Sequence, residues 1–159
     1  MKKLIFLLLA IIAPILAQNL PPTTTTQVIF EKKAILQTQK KQKIFVKMAL
    51  TNEQKNKGLS GPENEKLEGN QGMFFFYEQS GPRKFWMMNT YLNLDIFFMT
   101  KDLKIIKVYR DLKKHPSTEW ATDIQQTDTV NATHVLELPA KSKISKSLKE
   151  GDQLFWVKN

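Results

Sequence analysis

Two acids stand inside stretches that are otherwise apolar. Asp95 lies among Leu94, Ile96, Phe97, Phe98 and Met99, and Glu137 among Val135, Leu136 and Leu138. A carboxylate taken out of water needs donors around it or must take up a proton. Brought together, the two acids could do acid–base work, hold a cation, or cleave a glycan if they converge within roughly 10 Å on a cleft. The donors nearest to Asp95 in sequence are the Asn89 amide, the Thr90 hydroxyl and the Trp86 indole N–H. They support two readings. In one, Asp95 caps the backbone of the Asn89–Asn93 turn and fixes strand register. In the other, Trp86 and Met87 form the wall of a small pocket, and Asn89, Thr90 and Asp95 supply its polar contacts. Glu137 is a weaker member of that set; its strand face, shared with Val135, could equally meet solvent or a lysine.

Other chemistries lack their residues. A nucleophilic hydrolase needs an activated Ser, Cys or Thr beside a base, and the chain has no cysteine and no Gly-x-Ser-x-Gly. His115 precedes Pro116 in a polar stretch, and His134 opens a strand alternating with Leu136 and Leu138, so neither reads as a base. No closely spaced His, Cys or carboxylate set suggests zinc. Met73, Met87, Met88 and Met99 could offer thioethers to Cu(I), but methionine among Phe and Trp is normally core filler. The six glycines form no phosphate-cradling run. No catalytic residue, metal ligand or cofactor is assigned.

The elements that must position these groups are short. Strands are expected near Val28–Leu36, Ile44–Leu50, Met73–Tyr77, Lys84–Met88, Leu94–Thr100, Lys104–Arg110, His134–Leu138 and Gln153–Val157, where aromatic and β-branched residues recur between turn signals. Ser80-Gly81-Pro82 and Lys101-Asp102 read as turns, which makes the four central strands two hairpins or a meander. In the strand around Asp95 both alternating faces are apolar, so it is covered on both sides. Helix is scarce. Thr51-Asn52-Glu53-Gln54 has the capping-box arrangement with Gly58 as its stop, and Ser142 to Leu148 forms another short helix. Ser60 to Gln71 and Asp111 to Asp128 are long polar connections, a length typical of binding loops or mobile segments. The fold class is mainly β: a single-domain sandwich or partly closed barrel of about seven or eight short strands with one or two short helices.

The chain begins with Lys2 and Lys3, an apolar run from Leu4 to Ala17, and a polar break at Gln18-Asn19. That is the layout of a secretory signal peptide, and the run is too short for the roughly 20 residues of a spanning helix. The expected organisation is a signal peptide at 1–17, an extended Pro/Thr-rich linker at 18–27 and one domain at 28–159. Localisation is then periplasmic or extracellular, with no stable membrane anchor after cleavage. A domain of this size buries enough surface to fold without disulfides, and having no cysteine it must. The net charge of +9 attracts polyanions. For an exported chain these are envelope polymers, anionic lipids or acidic glycans rather than nucleic acid, and the scattered lysines form no helical stripe.

The order Gly58-Leu59, Gly72-Met73-Phe74-Phe75-Phe76, Phe85-Trp86-Met87-Met88-Asn89-Thr90, Leu94-Asp95-Ile96-Phe97-Phe98, Val135-Leu136-Glu137-Leu138 and Gly151-Asp152 resembles the family called domain of unknown function 192. The resemblance spans about residues 44–157 and implies a compact, mainly-β, often exported domain with no established activity. It carries no list of catalytic residues. The chain departs from the family pattern at Ser60 (usually Met), Asn93 (usually Pro) and Lys141 (usually Gly); losing the proline loosens the turn beside Asp95. The sequence thus points first to a non-enzymatic exported binding or accessory domain, with a pocket for a small polar ligand such as a sugar. A carboxylate-based hydrolase of a glycan or cell-wall polymer, a purely structural motif, and copper binding through methionine are the alternatives.

Overall fold

The computed structural model describes residues 32–157. The signal peptide expected at 1–17, the linker at 18–27 and the first residues of the strand expected from Val28 lie outside the described residues. Seven strands form one sheet: β1 (Lys33–Thr38), β2 (Lys43–Ala49), β3 (Gln71–Arg83), β4 (Leu94–Met99), β5 (Ile105–Leu112), β6 (Val130–Pro139) and β7 (Leu154–Trp156). Their order is β5-β4-β6-β3-β2-β1-β7, antiparallel except for β2 and β3. The sheet curls into a half-barrel, so of the two forms expected it takes the partly closed one. A parallel neighbour needs a crossover. Here the crossover carries α1 (Asn52–Lys57), started by the Thr51 capping box and stopped at Gly58 with φ 51°, then a 3-10 turn at Pro62–Asn64. The second helix, α2 (Lys143–Ser147), is capped by Ser142.

Each face of the sheet has its own core. Leu36, Ile44, Val46, Phe74, Phe97, Leu136 and Leu138 fill one face, closed by Ile144 of α2 and Leu148 just after it. Met73, Phe75, Ile96, Phe98 and Val135 fill the other, covered by Leu59 and Met87. All six residues of β4 are buried, as its doubly apolar pattern requires. The paired phenylalanines Phe74-Phe75 and Phe97-Phe98 send one ring to each face, each fully buried and worth about 1.5–3 kcal/mol. Gly72 is needed where β3 meets β6, because a Cβ there would lie 2.2 Å from the Glu137 carbonyl oxygen.

Two expectations about the centre of the chain need correction. Ser80-Gly81-Pro82 is no turn: β3 runs through it to Arg83, and a register shift between Phe76 and Gly81 absorbs the irregularity. Pairing with β2 ends at Phe75, so beyond it one side of β3 is an edge, where proline is tolerated. Lys84–Met88 is no strand either. It touches the sheet system through isolated bridges, Trp86 to Gln126 and Met88 to His115, while crossing a sheet face. Only β4 and β5 form one of the expected central hairpins, around Lys101-Asp102.

Candidate functional site

The Trp86–Thr90 segment is laid over the face that carries Phe75 and Phe98. The connections on either side stitch it down. Met87 N–H donates to the Gln125 carbonyl (3.0 Å), Asn89 N–H to the Ser117 carbonyl (2.9 Å), and Gly61 N–H to the Asn89 carbonyl (2.8 Å). Met87 is fully buried between the segment and the sheet. Asn89 sits at φ 52°, in the left-handed region that asparagine tolerates better than most residues, and its backbone rather than its amide ties the two connections together. Thr90 is buried, with its hydroxyl donating to the Met88 carbonyl at 3.2 Å.

Beside this segment opens a cavity of about 520 Å³, bounded by the end of α1, by Phe75, Tyr77 and Phe85, and by Trp86 and Trp120. Thr90 and Glu137 both line it. Glu137 projects from β6 on the same face as Ile96 and Val135, under the crossing segment. The expectation that its face meets solvent or a lysine fails, because residues 84–92 cover that face. Burial drives its pKa from 4.5 to about 8, opposed only by a hydrogen bond from the Leu59 backbone N–H. The carboxyl is therefore mainly protonated at neutral pH, and its Oε2 has no hydrogen-bond partner among the described residues. Gly58 leaves room beside it: an added Cβ would stand 3.2 Å from the Phe75 ring and 3.7 Å from Glu137 Oε2.

At the mouth, Trp86 is 53% and Trp120 66% exposed, with ring centroids 5.9 Å apart. They are the two most exposed large apolar side chains among the described residues. Lys55, Lys57 and Lys84 also line the cavity. Lys55 lies 4.4 Å over the half-buried Tyr77 ring, and burial followed by nearby Arg83 lowers its pKa. Lys57 pairs with Glu63 at 2.9 Å.

Asp95 is elsewhere. It lies on the sheet face opposite Glu137, buried and fully engaged: Arg110 Nη1 donates at 2.7 Å, Ser145 Oγ at 2.6 Å, and Asp111 N–H at 2.8 Å. The local cause is a bulge. Leu94 pairs with Leu112 and Ile96 with Tyr109, so Arg110 and Asp111 together oppose the single residue Asp95. Arg110 also donates to the carbonyls of Ser145 and Leu148, which docks α2 on the core. Asp95 thus holds a helix in place, not the Asn89–Asn93 turn. That turn is secured by Asn93 instead. Its amide donates to Asp111 (2.8 Å) and accepts from Lys114 N–H (3.1 Å), so two side-chain bonds hold the turn that a loss of proline was expected to loosen. Ser60 likewise makes a bond, to the Met88 carbonyl at 3.1 Å. Lys141 is exposed and has no positive φ, so a side chain is accommodated there.

The structure therefore brings Trp86, Thr90 and Glu137 to one cavity. Met87 and Asn89 support that cavity from behind, and Asp95 belongs to the other face. Trp120, Tyr77, Phe85 and the lysines of α1 were not singled out by sequence reasoning. Of these only Trp120 carried a signal, as a lone tryptophan in a polar connection. The methionines do not gather: Met99 packs in one core, Met73 and Met87 in the other. Among the described residues no group of three or more His, Cys, Asp or Glu could hold a metal ion. His134 packs against Phe74 and Phe76, with centroids 5.2 and 4.9 Å away, and burial lowers its pKa.

Two solved structures share this fold. A candidate transcription regulator from Sinorhizobium meliloti 1021 is 26% identical with a TM-score of 0.63, over 79% of this chain and 95% of that one. A protein of unknown function from Novosphingobium aromaticivorans DSM 12444 is 22% identical with a TM-score of 0.59, over 79% and 85%. No curated protein matches the sequence. The model of the family described as "Uncharacterized ACR", domain of unknown function 192, matches residues 34–156, and the chain belongs to that family.

Proposed function

We propose that this protein is an exported, non-enzymatic binding domain that takes a small polar ligand, ring-shaped like a sugar, into the cavity between Trp86, Trp120 and Glu137. One observation carries the reading. A buried carboxyl with an unpaired oxygen lines a cavity whose mouth exposes two tryptophans. Burying that group without a partner destabilises the fold, and groups so perturbed concentrate at functional sites. The cavity volume of about 520 Å³ lies within the roughly 300–1,000 Å³ typical of small-molecule sites. A protonated Glu137 offers both a donor and an acceptor to a hydroxyl, and exposed indoles suit the C–H face of a sugar ring.

The carboxylate-pair hydrolase loses its support, because Asp95 and Glu137 face opposite sides of the sheet and a single cleft does not hold both. Export rests on Lys2, Lys3 and the apolar run Leu4–Ala17. N-terminal sequencing of the protein from the envelope fraction should begin at Gln18; an intact Met1 in the cytosol would remove this part. The binding reading is tested by native mass spectrometry of protein purified from its own envelope. A bound small molecule released on unfolding, and absent from a Trp86→Ala preparation, is expected. Equal retention by both proteins would count against the cavity.

A further inference from the structure

Resting on the reading of this cavity as a binding site, we infer that its ligand is an acidic sugar: a pyranose ring with one carboxylate, of the hexuronate type, its ring hydroxyls on Glu137 and its anionic group among the lysines at the mouth. The charge around the cavity is one-sided. Lys55, Lys57 and Lys84 line it, and among the described residues Glu137 is the one acid that does. Glu137 is buried and proton-bearing, so it does not offset the lysines at neutral pH. Lys57 is engaged by Glu63, which leaves Lys55 and Lys84 to meet an anion. A neutral sugar would use the tryptophans and the carboxyl but leave this charge unanswered. A cationic ligand would be repelled on entry. A bare inorganic anion would leave the aromatic walls and the buried carboxyl unmatched. An acidic sugar matches all three features: rings on the tryptophans, hydroxyls on the unpaired oxygen, carboxylate on the lysines.

The test titrates the mature domain (residues 18–159) with glucuronate, glucuronamide and glucose, reading tryptophan fluorescence and calorimetry at low and high salt. Glucuronamide keeps the ring and removes the charge. Exposed lysine–carboxylate contacts are individually weak, so glucuronate should bind about tenfold more tightly than glucuronamide. The margin should shrink at high salt and in Lys84→Gln, and Trp86→Ala should abolish binding of both. Equal affinities for glucuronate and glucuronamide overturn the acidic-ligand inference and leave a neutral-sugar site standing. Glucuronate binding that survives Trp86→Ala overturns it too, since the contact is then elsewhere. If none of the three binds while the native protein retains some other molecule, the inference falls and the cavity reading remains; if nothing is retained either, both fall.

Discussion

Glu137 faces Ile96, not Asp95, across the pairing of β6 with β4. One residue of register thus puts the two acids buried among the described residues on opposite sides of the sheet, since successive side chains of a strand alternate. The two acids have different fates. Asp95 has three donors, one of them an arginine, and it anchors α2. Glu137 has one backbone donor, an unpaired oxygen and a cavity in front of it.

The first consequence is a pH dependence. Burial raises the Glu137 pKa from 4.5 to about 8. Between those values the unfolded chain has released this proton while the folded chain keeps it. Stability from this group is therefore full below about pH 4.5 and declines as pH rises toward about 8, by on the order of 5 kcal/mol in all. Glu137→Gln keeps an acceptor for the Leu59 N–H and cannot ionise. Urea unfolding should show it more stable than the parent by about 3 kcal/mol at pH 7 and close to the parent at pH 4. A parent midpoint that does not fall between pH 5 and 8 relative to Glu137→Gln would contradict the burial described.

Asp95→Asn should act on stability alone. It leaves Arg110 without its carboxylate and weakens the Ser145 and Asp111 bonds at a buried position. Arg110 is partly exposed, so the loss should be about 2–3 kcal/mol in chemical denaturation rather than the larger loss of a fully buried pair. Ligand binding and the fluorescence of Trp86 and Trp120 should stay as in the parent. Loss of binding in a folded Asp95→Asn protein would show that the two faces communicate.

Met87→Ala should cost about 2–5 kcal/mol, because Met87 is fully buried against the sheet. A near-zero change would place this side chain on a pocket rim instead.

Gly58→Ala should lose about 1–3 kcal/mol, since φ 51° with ψ −137° is a region kept almost wholly for glycine. Its new methyl would also stand close to the Phe75 ring beside Glu137. Thermal melts and ligand titration should both register the change; an unaltered melting temperature would contradict the backbone assignment.

Much of this was legible in the residues, and the failures have physical causes. Alternation put Asp95 in the interior and Glu137 with Val135 correctly. Asn89 was singled out for its amide, whereas its contribution to the structure is a left-handed backbone, which residue type alone does not separate from a side-chain contact. The donors to Asp95 were misjudged because they come from a bulge in β5 and from α2, and neither adds a local signal near Asn89. Trp120 was overlooked because it sits in a polar connection without periodicity, and that connection reaches the motif through bridges distant in sequence, Trp86 to Gln126 and Met88 and Thr90 to His115. The doubly apolar pattern showed that β4 is covered on both faces, but not that the covering over one of them is the Trp86–Thr90 segment itself.

The most direct test of the cavity as a binding site is equilibrium dialysis of the mature domain against the small-molecule fraction of its own cell envelope, read by mass spectrometry. Trp86→Ala is the control, since Trp86 is half exposed and stands outside both cores; a cooperative melting curve confirms that the variant is folded. The parent protein should concentrate at least one polar, ring-containing compound that the variant leaves at its bulk level. Identical profiles for the two folded proteins would contradict the site.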